Sequence, residues 1–243
     1  MRNIVLTGAG GGIGRVCLKA FVEKGCKVFA IDKDADSLCA LIQEQHWMSF
    51  VEVGALDLSR PTEIENIVQR IQEIWNHVDV LINNAGFITR SDTLHTSEKD
   101  WQEVLAVNLT GPFLLTKALF PMLRCSQQGR IINISSRAAG RPHVNATPAY
   151  GATKAGLLYL TRHWALEWAS EGILCFAIAP GPVETPMFDS IDPDKRQKVI
   201  QEMPFKRLIS PDEVVSLVLY ASFECPAAMS GQTFHCNGAT YWT

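Results

Sequence analysis

The stretch Thr7-Gly8-Ala9-Gly10-Gly11-Gly12-Ile13-Gly14 puts five glycines into seven positions directly after the apolar run Ile4-Val5-Leu6. Glycine loses more conformational freedom on folding than any other residue. A run this dense is therefore either a flexible linker or a place where the backbone itself must make contact. The flanks decide. A strand pattern over Asn3–Thr7 precedes the run and a helical pattern over Gly12–Lys24 follows it, and a linker does not sit between a first strand and its crossover helix. A glycine-rich strand-to-helix turn lets main-chain amides approach a pyrophosphate, which rests on the positive end of the helix. The spacing is Thr-Gly-x-x-x-Gly-x-Gly through Gly8, Gly12 and Gly14, not the commoner G-x-G-x-x-G. The turn alone does not establish a dinucleotide site, and the rest of the chain has to speak for it.

Outward from this turn, apolar runs alternate with amphipathic stretches to the end of the chain. Strands are expected near Asn3–Thr7, Lys27–Ile31, Ser49–Val53, Asp79–Ile82, Arg130–Ile134, Ile173–Ala179 and Gln232–His235. Helices are expected near Gly12–Lys24, Ala35–Gln45, Pro61–Asn76, Glu98–Arg124, Ala149–Ser170 and Pro211–Phe223. Several strands are continuous apolar runs, as required when helices cover both sheet faces. This pattern indicates an α/β fold: a doubly wound, parallel seven-stranded sheet of Rossmann type, as one domain over residues 1–243. The least periodic long segment, Gly181 to Ser210, follows a strand end, the side on which open α/β sheets bind ligands. It reads as a substrate lid near 184–210.

A chain of 243 residues with 47% hydrophobic residues can bury a substantial core, and its net charge of −3 comes without a basic run or acidic tail. These values do not suggest nucleic acid or an anionic membrane as partner. No apolar run approaches the roughly 20 residues of a membrane span, and no signal-peptide pattern opens the chain, so a cytoplasmic location is expected. The seven cysteines are scattered without a C-x-x-C pair, and the six histidines are equally dispersed. Reduced buried thiols and no metal site follow.

The second expected strand ends in Ile31-Asp32. A carboxylate there can accept hydrogen bonds from adenosine ribose hydroxyls and repels a 2′-phosphate, which favours NAD over NADP. Arg15 and Lys33 are the nearby cations that oppose this choice. Farther on, "YGATKAG" places Tyr150 and Lys154 four residues apart, hence on one helix face. A lysine cation near a tyrosine stabilises the phenolate and makes it a usable proton donor or acceptor. "IINISS" leaves Ser135 and Ser136 at the end of a strand, "NNAG" (Asn83–Gly86) ends another, Asn108 lies within the next helix in "VNLTG", and "PGPVETP" follows Ala179.

Together these motifs resemble the short-chain dehydrogenase/reductase family, in its compact branch, over essentially the whole chain. The resemblance implies a catalytic tetrad of Asn108, Ser136, Tyr150 and Lys154. Tyr150 would exchange the proton, Ser136 would hold the substrate oxygen, Lys154 would lower the tyrosine pKa and bind the nicotinamide ribose, and Asn108 would hold a water linking Lys154 to solvent. It further implies a cofactor site formed by Gly8, Gly12, Ile13, Gly14, Asp32, Asp57, Leu58, Asn84, Ala85, Gly86, Tyr150, Lys154, Pro180, Gly181, Val183 and Thr185. Asp57 would meet the adenine amino group and Thr185 the nicotinamide amide. Two departures stand out. Ser136 lies one residue farther from the tyrosine than is usual, which leaves Ser135 as an alternative, and the family's Asp-Gly-Gly is replaced by Asn237-Gly238-Ala239.

The activity implied is NAD(H)-dependent interconversion of a secondary alcohol and a ketone. Alternatives are an NADP(H)-dependent 3-oxoacyl reductase-like activity and a non-catalytic dinucleotide-sensing regulator; an epimerase or dehydratase of the longer branch would need an extra substrate domain. Substrate contacts are expected from Ser136, Tyr150, Met187 and Phe188, with Phe87, Ile88, Ala138, Ala139, Val144, Ile191, Met203 and Phe205 completing a largely apolar wall. Arg90, Arg141 and His143 are either solvated loop charges or readers of a substrate carboxylate. The resemblance implies homodimers or homotetramers through the Glu98–Arg124 and Ala149–Ser170 helices. Trp164 and Trp168 read as packing residues of the core or of a subunit surface.

Overall fold

In the computed structural model of the chain, which describes residues 1–142 and 146–241, the apolar run before the glycines becomes strand β1 (Asn3–Thr7). The elements that follow are α1 (Gly12–Glu23), β2 (Lys27–Asp32), α2 (Ala35–Glu44), β3 (Val51–Ala55), α3 (Ile64–Ile74) and β4 (Val80–Asn83). Then come α4 (Glu98–Leu105), α5 (Gly111–Arg124), β5 (Arg130–Ile134), α6 (Pro148–Glu167) and β6 (Leu174–Pro180). The chain closes with α7 (Pro186–Asp189), α8 (Pro193–Glu202), α9 (Pro211–Phe223) and β7 (Thr233–Cys236). All strands are parallel, in the order β3-β2-β1-β4-β5-β6-β7. β1 pairs with both β2 and β4, so the direction of winding reverses between them. The crevice outside their C-terminal ends is where such a sheet takes ligands.

Successive strand residues point to opposite faces, and each face has its own core. Ile4 and Leu6 pack with Leu18, Phe21, Phe176 and Val218 on the side of α1 and α9. Val5, Phe29 and Leu81 pack with Ile71, Leu115 and Trp164 on the side of α3, α5 and α6. Trp164 stacks on Trp168 at 5.5 Å, and Trp168 meets Phe120 at 4.9 Å. This pair is internal packing.

Several boundaries differ from the sequence pattern, most of them by one residue, and three departures have a local cause. β3 begins at Val51, not Ser49, because Trp47–Phe50 closes a turn through the Phe50 amide and the Trp47 carbonyl (2.8 Å). The Pro61–Asn76 helix opens as a 3-10 turn over Pro61–Glu63 and ends at Ile74. The long Glu98–Arg124 helix contains a π-helical turn, Ala106–Thr110. Pro112 has no amide hydrogen for the Asn108 carbonyl and its ring presses on that group, so the widened turn falls just ahead of it. This 27-residue run is long and apolar enough to cross a bilayer, contrary to the hydropathy reading, but Val104, Leu115, Leu119 and Leu123 are fully buried in the protein.

The segment after β6 is more ordered than its composition suggests. A parallel bridge joins Val183 to Ile209, with Glu184 N donating to Ile209 O and Ile209 N to Pro182 O, both at 2.9 Å. Residues 184–208 are thus an excursion whose two ends are pinned together. It carries α7, α8 and a small apolar cluster of Phe188, Ile191 and Val199.

Candidate active site

One cleft of about 640 Å³ opens at the C-terminal ends of the strands, and its walls include Thr7, Asp32, Asn84, Ser136, Tyr150, Lys154, Pro180 and Met187. The glycine turn forms one end. Gly8 has φ +64°, a conformation that favours glycine, and a Cβ at Gly14 would lie 2.0 Å from the Gly8 carbonyl oxygen. A Cβ at Gly12 would lie 2.5 Å from Thr185 Cγ2. These glycines answer first to the protein's own packing, which narrows the reading that they clear a path for a ligand. The result is nevertheless a bare cleft wall of Gly10, Gly11, Gly12 and Ile13. Helix α1 starts there with no side-chain cap and no acidic residue in its first turn. Arg15 adds a cation at this already positive helix end, its Nε donating to Gly10 O at 2.6 Å. The arrangement suits an anionic group.

Asp32 stands across the turn: its Oδ2 accepts from Gly10 N at 2.8 Å and its Oδ1 from Asp34 N at 3.1 Å. Asp57 and Leu58 line the same end. Burial raises the Asp57 pKa, but hydrogen bonds from Ser59 outweigh it and leave the carboxyl below its usual value. Thr7, to which the sequence reading gives no role, ties two strand ends together. Its Oγ1 accepts from Asn84 N and Ala85 N at 3.0 Å, while Asn84 Nδ2 donates back to the Thr7 and Gly8 carbonyls at 3.0 Å. The initial threonine of the motif was the available signal. At the far wall, Gly181 lies tight against the Asn237 backbone, and Val183 is buried beside its bridge to Ile209.

The other end gathers the expected chemistry. Tyr150 is half-buried and hydrogen-bonded through its side chain to Ser136. Ser135 is engaged elsewhere, its Oγ donating to Lys154 O at 2.8 Å, so the serine facing Tyr150 is Ser136. Lys154 is buried, its Nζ donating to Ile134 O at 2.8 Å and lying 5.8 Å from the Tyr150 ring centroid. Burial pulls its pKa down to about 8. The expectation that Lys154 lowers the tyrosine pKa is not met here: burial raises Tyr150, and the groups that partly offset it are Ser136 and the Arg90 charge.

Asn108 sits in the π-helical turn, fully buried. Its Nδ2 donates to Phe87 O at 2.8 Å and to Thr153 Oγ1 at 3.3 Å, and its Oδ1 accepts from Phe87 N at 2.7 Å. Instead of being turned toward solvent, this side chain clamps the backbone after β4. Both this side chain and the lysine come close to Gly86, where a Cβ would lie 3.5 Å from Lys154 Nζ and 3.8 Å from Asn108 Oδ1.

The apolar wall is smaller than expected. Phe87, Ile88, Ala138, Met187, Phe188 and Ile191 line the cleft. Among the described residues Ala139, Met203 and Phe205 do not: Met203 is buried in the main core, and Phe205 is 69% exposed. Arg90 lines the cleft, whereas Arg141 turns away to donate to Thr240 O at 2.6 Å. His143 and Val144 lie outside the described residues. Among the described residues no cluster of three or more His, Cys, Asp or Glu is suited to a metal.

A sequence profile of the family described as short chain dehydrogenase matches residues 2–196. The chain belongs to the short-chain dehydrogenase family. As a member it is an NAD(P)-dependent oxidoreductase with a Rossmann-type sheet. It is similar to the 3-oxoacyl-(acyl-carrier-protein) reductase FabG of Vibrio cholerae, at 33% identity over 239 residues, 98% of this chain and 96% of that one. Among solved structures it is similar to a short-chain dehydrogenase/reductase, glucose/ribitol dehydrogenase, from Brucella melitensis (TM-score 0.93, 29% identity, covering 100% and 97% of the two chains). A putative NAD(P)-dependent gluconate 5-dehydrogenase from Beutenbergia cavernae, with bound NADP at low occupancy, matches with TM-score 0.90 and 30% identity over 98% and 95%.

Proposed function

We propose that this short-chain dehydrogenase interconverts a secondary alcohol and a ketone with NAD(H), Tyr150 moving the proton. The observation that carries the reading is the meeting of Ser136, Tyr150 and Lys154 in the same cleft as the uncapped start of α1. The glycine turn, Asp32, Asp57 and Asn84–Gly86 would hold the adenosine and pyrophosphate, and Pro180, Gly181, Val183 and Thr185 the nicotinamide end. A bound nicotinamide supplies or takes the hydride. Ser136 Oγ holds the substrate oxygen beside the Tyr150 hydroxyl, and that hydroxyl gives its proton as a ketone is reduced or takes one as an alcohol is oxidised. Lys154, cationic below about pH 8, supports the ribose, while Ser136 and the Arg90 charge favour the charge left on Tyr150. Asn108 positions this group by clamping Phe87. Residues 184–210 act as a lid, and the enzyme works as a small oligomer through the outer faces of α4, α5 and α6, where Trp101, Phe113, Tyr159 and Leu166 are exposed.

Asp32 is what supports NAD over NADP: its carboxylate is fixed beside the cleft by Gly10 N, where a 2′-phosphate would meet like charge. A second reading, an NADP(H)-dependent 3-oxoacyl reductase, is favoured by the name of the Vibrio cholerae relative and by Arg15 and Lys33 in the same wall. Purified protein mixed with NADH or NADPH and a panel of ketones and 3-oxoacyl thioesters, followed by absorbance, separates the two. Faster turnover of simple ketones with NADH supports the first reading. NADPH-driven reduction confined to thioesters replaces it with the second.

A further inference from the structure

The segment after β7 touches three parts of the substrate side. Asn237 is buried, its Nδ2 donating to Tyr241 O at 2.8 Å and its Oδ1 accepting from Thr240 N at 3.2 Å. This turn carries the chain back toward the loop after Ser136. At its start, Gly181 N in the cleft wall donates to Cys236 O at 2.8 Å. A Cβ at Gly238 would lie 2.9 Å from Met203 Cε and 3.4 Å from Ile209 Cδ1, so the turn packs on the closing end of the excursion. Farther on, Thr240 O accepts from Arg141 Nη1 at 2.6 Å. Tyr241 lies on Gly140, where a Cβ would overlap its hydroxyl and stand 2.8 Å from its Cε1. His235 meets the same ring edge-on at 5.7 Å. Ala239 holds φ +60°, in the left-handed region that favours glycine, and such a conformation persists only where its surroundings impose it. None of Gly140, Arg141, Asn237, Gly238, Thr240 and Tyr241 is among the described residues that line the cleft.

We propose that Asn237–Tyr241 is a strap that holds Ser136 in place from outside the cleft, with Tyr241 as its positioning residue. This rests on the reading that Ser136 holds the substrate oxygen beside Tyr150. The loop that the strap grips is one tight turn. Ala139 N donates to Ser136 O at 3.1 Å, and Gly140 N and Arg141 N donate to Arg137 O at 3.1 and 2.9 Å. Ser136 Oγ itself accepts from Ala138 N at 3.1 Å, so the turn that Gly140 ends also orients the serine hydroxyl. Helix α6 supports the turn at its middle, for a Cβ at Gly151 would lie 3.2 Å from Ala138 O. Tyr241 on Gly140 and Thr240 on Arg141 support its end. With the strap gone the turn keeps only the first support, and the hydroxyl loses its fixed place beside Tyr150. A misplacement of about 1 Å in such a group costs up to about 10²-fold in rate. Truncating Tyr241 leaves the glycine turn and the Gly181–Cys236 bond intact, so cofactor affinity is expected to hold.

Turnover of the fastest substrate in the ketone and thioester panel, with NADH, is compared in the wild type, Tyr241→Ala, Tyr241→Phe and Gly140→Ala. Tyr241→Ala should lower kcat roughly 10- to 100-fold, with NADH binding within about twofold of the wild type. Tyr241→Phe keeps the ring and should stay near the wild-type rate. Gly140→Ala, whose methyl group displaces that ring, should reproduce the loss, and the double variant should be no worse than either single one. In a Ser136→Ala background, Tyr241→Ala should cost less than about twofold more, because the serine through which it acts is gone. A full-sized loss in that background, or a wild-type rate in Tyr241→Ala, overturns the proposal. Hydrogen exchange gives a readout without turnover. The amides of residues 136–141 should exchange roughly 10-fold faster in Tyr241→Ala, while those of residues 8–14 keep their protection. If that occurs and the wild type reduces no member of the panel, the strap stands and the proposed reaction falls. Unchanged exchange over residues 136–141 overturns the strap whatever the turnover.

Discussion

The glycine turn and the 184–208 excursion form facing parts of one cleft and are built on opposite principles. The turn rests on fully buried residues such as Leu6, Leu18 and Phe21, and its backbone atoms are in contact with one another. The excursion reaches the main core through Met203 and otherwise has a small cluster of Phe188, Ile191 and Val199, with Met187 and Phe205 exposed; its ends are pinned by the Val183–Ile209 bridge and the Arg207–Glu213 ion pair (2.7 Å). The two meet where Thr185 covers Gly12. One side can hold a fixed group with little freedom to adjust. The other can change its side chains without disturbing the core, as a surface that selects substrates requires.

The widest expected gap between the two sides is in stability. A methyl group at Gly14 would meet the Gly8 carbonyl at 2.0 Å. Gly14→Ala should therefore destabilise the protein by about 3 kcal/mol, the upper range of overpacking, and lower Tm by roughly 6–12 °C. A Tm within about 2 °C of the wild type would break the contrast.

Lys154 sharpens it from the rigid side. Its pKa falls from 10.5 unfolded to about 8 in the buried site, so between those values the native state binds fewer protons than the unfolded chain and stability rises with pH. Relative to Lys154→Met, the cofactor-free wild type should gain roughly 3 kcal/mol as pH goes from 8 to 10.5. Parallel denaturation curves across that window would show that Lys154 is not held as described. Asp32→Ala comes next: the NAD-over-NADP preference in kcat/KM should fall roughly 5- to 150-fold, the worth of a lost hydrogen bond and a charge repulsion. An unaltered ratio would give Asp32 a purely structural place under Gly10. The smallest effect belongs to the excursion. Phe205→Ala should shift stability by no more than about 0.5 kcal/mol, and a loss of several kcal/mol would mean this side is core after all.

What was legible in the sequence follows the same division. The alternation of seven strands with helices, the glycine turn, Asp32 and the approach of Ser136, Tyr150 and Lys154 are constrained by backbone geometry and burial, and they leave patterns of fixed spacing. The π-helical turn at Asn108 was not legible, because the pattern reads Glu98–Arg124 as one continuous helix with Pro112 inside it, and the push of that proline on the Asn108 carbonyl shows only in three dimensions. Helices α7 and α8 were hidden for another reason: α7 is four residues long, too short for periodicity to register, and α8 has one buried residue, Val199. Met203 was placed in the substrate wall because it is apolar and adjacent to that segment, yet it serves as the pin that joins the excursion to the core. Arg90 and Arg141 look alike as loop cations. Only the fold shows that one faces the cleft while the other holds the C-terminal segment at Thr240.

The central claim is that the proton moves through Tyr150. Tyr150→Phe keeps the ring and removes the hydroxyl, so turnover of the best ketone with NADH, measured beside NADH binding by fluorescence, tests it directly. Turnover should fall roughly 10²-fold or more while NADH affinity stays within about twofold. Near-normal turnover in the variant would contradict the account.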